Sequence, residues 1–244
     1  MIVYGRNPVR EALRGRRARA VGRVWATSRA AREPWLAERE PSVASAEEIE
    51  ELCGSPSHQG VCAEAGPYPY AGSAELLARS EPLLVALDQV QDPQNLGSVC
   101  RTAECAGADG VVIPERRAAE VTPAVCKASA GAVEHLAVAR VKNLADFLLQ
   151  ARDAGCWSYG ASAPDRGEAG GGPEPVPYDR PDYWGSGVVL VLGSEGSGLR
   201  PRVASACDQL IALPVRGRVS SLNVSAAASA ILYEILQTRL DSSS

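Results

Sequence analysis

The chain has 244 residues, of which 45% are hydrophobic and 22% charged, with a formal net charge of −4; this balance excludes disorder over most of its length and argues against indiscriminate nucleic-acid binding. No apolar run approaches the roughly 20 residues that cross a bilayer, and the amino terminus enters polar residues directly, so the expectation is a cytoplasmic protein without membrane contact. Seven scattered cysteines form no Cys-x-x-Cys pair and the two histidines, His58 and His135, lie far apart, so no metal site is expected and the thiols read as reduced core residues.

In chain order, the first 69 residues read as a small α/β module: a strand at Ile2–Tyr4, a helix over Pro8–Arg17 with Pro8 in its first turn, and a strand at Val21–Ala26. Ser45 followed by Glu48 predicts a capping box for a helix over Ala46–Cys53, and Val61–Ala65 reads as a further strand. Residues 1–40 hold ten arginines against four glutamates. That basic end is read either as a phosphate-contacting surface or as compositional drift in an Ala- and Arg-rich sequence. The tract "GPYPYAG" at 66–72 breaks both periodicities and reads as a linker. The division is a substrate-binding module at 1–69, a linker at 70–81 and a second module at 82–244.

From Pro82 onward, apolar strands alternate with helices. Leu83–Leu87 precedes a helix from Asn95, Gly110–Ile113 precedes one at Pro123–Ser129, and Leu136–Arg140 precedes one at Leu144–Ala154. Further strands are expected at Val188–Leu192 and Gln209–Leu213. The alternation implies an α/β domain on a mostly parallel sheet covered on both faces. The Gly/Pro-rich stretch between Ser162 and Pro181 reads as an exposed, mobile loop.

Three segments of this half carry polar residues suited to chemistry. In residues 87–110, Asn95 is placed to cap a helix on which Leu96, Val99, Cys100, Ala103 and Ala106 share one face, while Arg101 and Glu104 fall opposite. Taken alone, Arg101 reads as a surface arginine paired with Glu104 one turn on. In "VVLVLGSEGSGLRP", residues 188–201, three glycines let a ligand or another segment approach the backbone, but their spacing matches neither a P-loop nor a dinucleotide fingerprint. In residues 210–236, a basic loop with Arg216 and Arg218 leads to a helix beginning around Ser221–Asn223. Its stripe Val224, Ala228, Ile231 and Ile235 reads equally as core or as a dimer face.

Each segment has an unremarkable explanation by itself. In this order, however, "DPQNLGSVCRTAECAG", "VLGSEGSGL" and "LPVRGRVSSLNVSAAAS" resemble the three motifs of the SpoU/TrmH family of RNA 2′-O-methyltransferases, and "VYGRNPVREAL" and "HQGVCAEAGPY" are similar to that family's small substrate-binding domain. The stretch at 113–148 is most similar to the subgroup that modifies a guanosine of 23S rRNA.

The resemblance implies an α/β domain whose carboxy-terminal segment is threaded into a deep trefoil knot, an exception to the unknotted rule. It further implies S-adenosyl-L-methionine as cofactor, bound by Gly193, Leu213 and Leu222, and a homodimer formed through helices beside the knot. Asn95, Arg101, Glu195, Ser221 and Asn223 match the catalytic set, with Arg101 directed at the ribose 2′-OH as base or as phosphate ligand. RNA is the implied partner: 23S rRNA first, with tRNA 2′-O-methylation or a non-catalytic role in ribosome assembly as alternatives. Gln94, where relatives often carry His or Asn, and the acidic overall charge are the departures from the pattern.

Overall fold

A computed structural model describes residues 1–162, 174–194, 196–219 and 221–242. The amino-terminal part comprises β1 (Ile2–Tyr4), α1 (Arg6–Ala12), β2 (Val21–Ala26), α2 (Pro34–Ala37), β3 (Ser42–Val43), α3 (Ala46–Cys53) and β4 (Val61–Ala65). Its strands form a four-stranded sheet of order β1-β4-β2-β3, in which β4 runs antiparallel to both neighbours. The capping box forms as expected: the Glu48 amide donates to Ser45 Oγ, and the Ser45 amide donates to Glu48 Oε2 at 2.7 Å. The first helix stops at Ala12 rather than Arg17. Gly15 lies so close to the Glu134 backbone that a Cβ there would overlap it, and the Arg16 amide donates to the Glu134 carbonyl at 2.8 Å. This contact turns the chain out of the helix and sends Arg17 into the interior.

The remainder runs α4 (Ser73–Leu77), β5 (Leu83–Asp88), α5 (Pro93–Cys105), β6 (Gly110–Pro114), α6 (Pro123–Ala128), β7 (Ala137–Val141), α7 (Leu144–Asp153), β8 (Cys156–Ser162), β9 (Val176–Pro177), β10 (Gly187–Gly193), α8 (Pro201–Ala204), β11 (Gln209–Ala212) and α9 (Val224–Asp241). Seven strands pair in the order β7-β6-β5-β10-β8-β11-β9, every pairing parallel. The period-2 geometry of a strand explains the two cores. Leu83, Val85 and Leu87 face a cluster with α5 and α9, while Leu84 and Ala86 face one with α7. Of the Gly/Pro-rich loop expected between Ser162 and Pro181, residues 163–173 lie outside the described residues, and its far end carries β9.

The two sheets share one core. Val3, Leu36 and Val61 belong to the same buried cluster as Val85, Leu96 and Ile231. The tract between the sheets is held along its length: the Tyr68 hydroxyl donates to the Val133 carbonyl at 2.8 Å, the Ala71 amide donates to the Val138 carbonyl at 2.8 Å, and α4 buries Leu76. Arg17 completes the junction, its Nε donating to Glu134 Oε2 at 2.7 Å with both side chains almost wholly buried. No helix among the described residues is long and apolar enough to cross a membrane.

Candidate active site

Strand order dictates where a ligand can sit. The chain proceeds from β5 outward through β6 and β7, then returns to lay β8, β10 and β11 on the other side, so the direction of winding reverses next to β5. In open parallel sheets the crevice at the carboxyl ends of the strands at such a reversal is the favoured ligand position. A cavity of about 350 Å³ lies one strand over from that reversal, at the ends of β8, β10 and β11, within the size range of small-molecule sites. Its walls come from the ends of β8 and β10, from Leu213 beyond β11, and from Ser221, Leu222 and the first turns of α9.

The turn after β10 is shaped by two glycines. A Cβ at Gly193 would overlap the Gly198 carbonyl carbon and the Leu199 amide, so this position closes only over glycine. Gly198, at φ +64°, pairs back to Ser194, a backbone geometry that side chains disfavour. The Gly198–Leu199 backbone is thus one segment that approaches Gly193, which also lines the cavity. Behind the turn stands Asp88, the last residue of β5 and fully buried. It accepts from the Arg200 amide at 2.9 Å and from Arg200 Nε at 2.8 Å. Asp88 and Arg200 were not singled out from the sequence. The available signal was a carboxylate ending an all-apolar strand, which has to find a cation or amides there.

The second wall is the seam between α5 and α9. The helix α5 starts at Pro93 and is capped by Asp92, whose side chain accepts from the Gln94 amide, so Asn95 is not the cap. Proline fits the first helical position because its missing N–H would have no partner there. Asn95 instead lies buried in the first turn, and its Oδ1 accepts from Asn223 Nδ2 at 3.0 Å. Asn223 caps α9, accepting from the Ser225 amide at 2.8 Å. Farther along, Thr102 Oγ1 and Ser229 Oγ lie 3.1 Å apart. The stripe Val224, Ala228, Ile231 and Ile235 is buried in the chain's own core, which removes it as a dimer face.

Arg101 is exposed, one position before Thr102 and so about 100° around the helix from the face that meets α9. The ion pair with Glu104 does not form, and Arg101 makes no side-chain hydrogen bond or ion pair among the described residues. Its neighbour Cys100 is fully buried, and burial pushes that thiol up to about 12, which leaves it a core residue rather than a nucleophile. The geometry thus brings Gly193, Leu213, Leu222 and Ser221 into one cavity and joins Asn95 to Asn223. Arg101 stays outside the cavity lining, and Glu195 lies outside the described residues.

Residues 82–233 match the model of the SpoU rRNA methylase family, and residues 2–71 match that of the RNA 2′-O ribose methyltransferase substrate-binding domain. The Bacillus subtilis (strain 168) protein YacO, assigned to the TrmH family of tRNA/rRNA methyltransferases, is 42% identical over 75% of this chain and 71% of its own length. Among solved structures, the AdoMet-bound rRNA methyltransferase of Sinorhizobium meliloti superposes with a TM-score of 0.75 and 26% identity, covering 97% of this chain and 86% of that one. A TrmH/SpoU tRNA modifying enzyme of A. aeolicus gives a TM-score of 0.57 and 26% identity, covering 70% of this chain and 82% of its own.

Proposed function

The chain belongs to the SpoU rRNA methylase family, and from that premise we propose that it transfers the methyl group of S-adenosyl-L-methionine to a ribose 2′-OH of RNA, a guanosine of 23S rRNA. The observation that carries this reading is the cavity in which Gly193, Leu213 and Leu222 converge at the carboxyl ends of the parallel strands. Its apolar walls, Leu192, Leu213, Leu222 and Ile231, suit the faces of an adenine, and Gly193, Ser194, Gly196 and Gly198 line it beside the polar edge. When bound, S-adenosyl-L-methionine supplies an electrophilic methyl group.

The residues of the chain then divide the work. The Asn95–Asn223 pair fixes the start of α5 against the start of α9, and so sets where Arg101 and Ser221 stand relative to the cavity. Arg101 presents a guanidinium that is always charged, which favours a role in holding the 2′-oxygen and its neighbouring phosphate over a role as base. Glu195 and Ser221 complete the set as orienting groups. Substrate choice rests on the amino-terminal module: the solved rRNA enzyme covers both modules, whereas the tRNA modifying enzyme covers 70% of the chain.

The family's knot is part of the same reading. Insertion of β10 between β5 and β8, followed by return of the chain past Gly193 to α9, supports it. So is a homodimer, through the face of α9 that the core leaves open, where Tyr233 and Leu240 are more than half exposed. A Tyr233→Glu variant that sediments as the wild type does would remove that face from the account.

Incubating the full chain with methyl-labelled S-adenosyl-L-methionine and either 23S rRNA or tRNA, then digesting to nucleosides, tests the proposal. Label in 2′-O-methylguanosine from rRNA is expected. Label confined to a base, or to tRNA, would refute it.

A further inference from the structure

A second cavity, of about 410 Å³, lies in the amino-terminal module between α1 and α2, remote in sequence from the three segments that build the methyl-transfer cavity. Arg10, Leu13 and Arg14 form one side; Trp35, Glu38 and Arg39 form the other. Three guanidinium groups against one carboxylate leave the lining with a charge of about +2 at neutral pH.

Most arginines near this cavity are already engaged. Arg6 pairs with Glu33 at 3.0 Å, Arg10 Nε donates to Glu11 at 2.9 Å, Arg17 is buried on Glu134, and Arg23 stacks over Trp25. Arg14 and Arg39 differ: both are exposed, and neither makes an ion pair among the described residues. They face the same cavity from its two sides.

Trp35 is held in place by its neighbours. The four-residue helix α2 anchors Leu36 fully in the core, and Trp35 packs partly against that core while lining the cavity. Among the described residues it has no ring–ring or cation–π partner. The Arg6–Glu33 ion pair ties the start of α1 to the residue before α2, so the two walls keep their spacing.

A positioned indole between two uncompensated guanidinium groups is the arrangement that binds an unstacked base with its phosphates. An acidic peptide would leave the indole without a use. We propose that this cavity captures one unpaired nucleotide of the RNA substrate, its base stacked on Trp35 and its flanking phosphates on Arg14 and Arg39. The inference rests on the reading of the substrate as RNA, and it assigns the contact to a site separate from the methyl-transfer cavity.

The test uses the full chain and a fluorescent single-stranded RNA oligonucleotide, with anisotropy titrations at several salt concentrations. Trp35→Leu is expected to weaken binding about 10-fold, and Trp35→Phe, which keeps a stacking ring, to stay within about twofold. Arg14→Ala with Arg39→Ala should lower the slope of log affinity against log salt by about 1.4, about 0.7 for each single-strand phosphate that is no longer neutralised. Calorimetric affinity for S-adenosyl-L-methionine should be unchanged in all three, which reports that each variant is folded. Equal RNA affinity in wild type and Trp35→Leu, equal losses in the Leu and Phe variants, or an unchanged salt slope would overturn the assignment. Tighter binding of a poly-glutamate peptide than of the oligonucleotide by wild type would overturn it in favour of a protein partner. If wild type binds no RNA, the substrate reading itself falls; if wild type methylates RNA and the variants do so equally, only this cavity's role falls.

Discussion

At the scale of single residues, the account depends on one position that must be glycine and one that must be arginine. Gly193 has no room for a methyl group because the Gly198–Leu199 backbone crosses directly over it. Gly193→Ala is therefore expected to open the turn and weaken S-adenosyl-L-methionine binding at least about 10-fold, a loss of about 1.4 kcal/mol. Calorimetry on the variant checks this; wild-type affinity would show that the crossing does not shape the cavity. Arg101 makes the opposite prediction. Because it lies outside the cavity, Arg101→Ala should leave cofactor affinity intact while lowering kcat by about 10² to 10³, the usual effect of removing one stabilising donor. Undiminished turnover in that variant would take the role away from Arg101. Gly193 had a local signal in the sequence, a glycine-rich turn after a buried strand, whereas Arg101 alone read as a surface arginine paired with Glu104 and was singled out only by the family resemblance. Asp88 and Arg200 were not singled out, because their meaning comes from a contact across 112 positions.

At the scale of elements, the site is set by how the turn after β10 and the α5–α9 seam are held. Asp88 is the fixed point of the turn, buried and clamping both the backbone and side chain of Arg200. Asp88→Asn keeps the shape but loses the charge, and is expected to raise the KM for S-adenosyl-L-methionine severalfold with kcat for bound substrate largely preserved. Steady-state kinetics check this, and an unchanged KM would make the clamp irrelevant to binding. The elements read from sequence were those with a clear period, apolar run or cap, among them β1, β2, β4, β5, β6, β7, α6, α7, β10, β11 and the capping-box helix α3. Those missed had weak local signals. The strand β8, "CWSYGAS", alternates an exposed Trp157 with a Ser158 buried only because Asp208 accepts from it at 2.6 Å. The strands β3 and β9 are two residues each. The start of α5 was misplaced by two residues because both Asp92 and Asn95 are capping types; Asp92 accepts from the Gln94 amide with Pro93 in the first helical position, and Asn95 is taken up by Asn223.

At the scale of the whole molecule, the change of pattern near residues 66–82 falls between the two sheets, but the core they share was not legible. Arg17 read as one arginine of a basic surface, whereas it is buried against Glu134 and joins the sheets into one core. Denaturant unfolding is therefore expected as one transition. Arg17→Met, leaving Glu134 buried and unpaired, should cost about 3–5 kcal/mol. Two separated transitions in the wild-type protein would contradict the shared core. The central claim is wider than any of these: this chain places one methyl group on a ribose of ribosomal RNA. Mapping 2′-O-methyl positions across 23S rRNA and tRNA from cells with and without the gene tests it most directly. The account predicts the loss of a single ribose methyl at a guanosine of 23S rRNA, with tRNA unchanged. An unaltered set of ribose methyl groups in both RNA classes would contradict it.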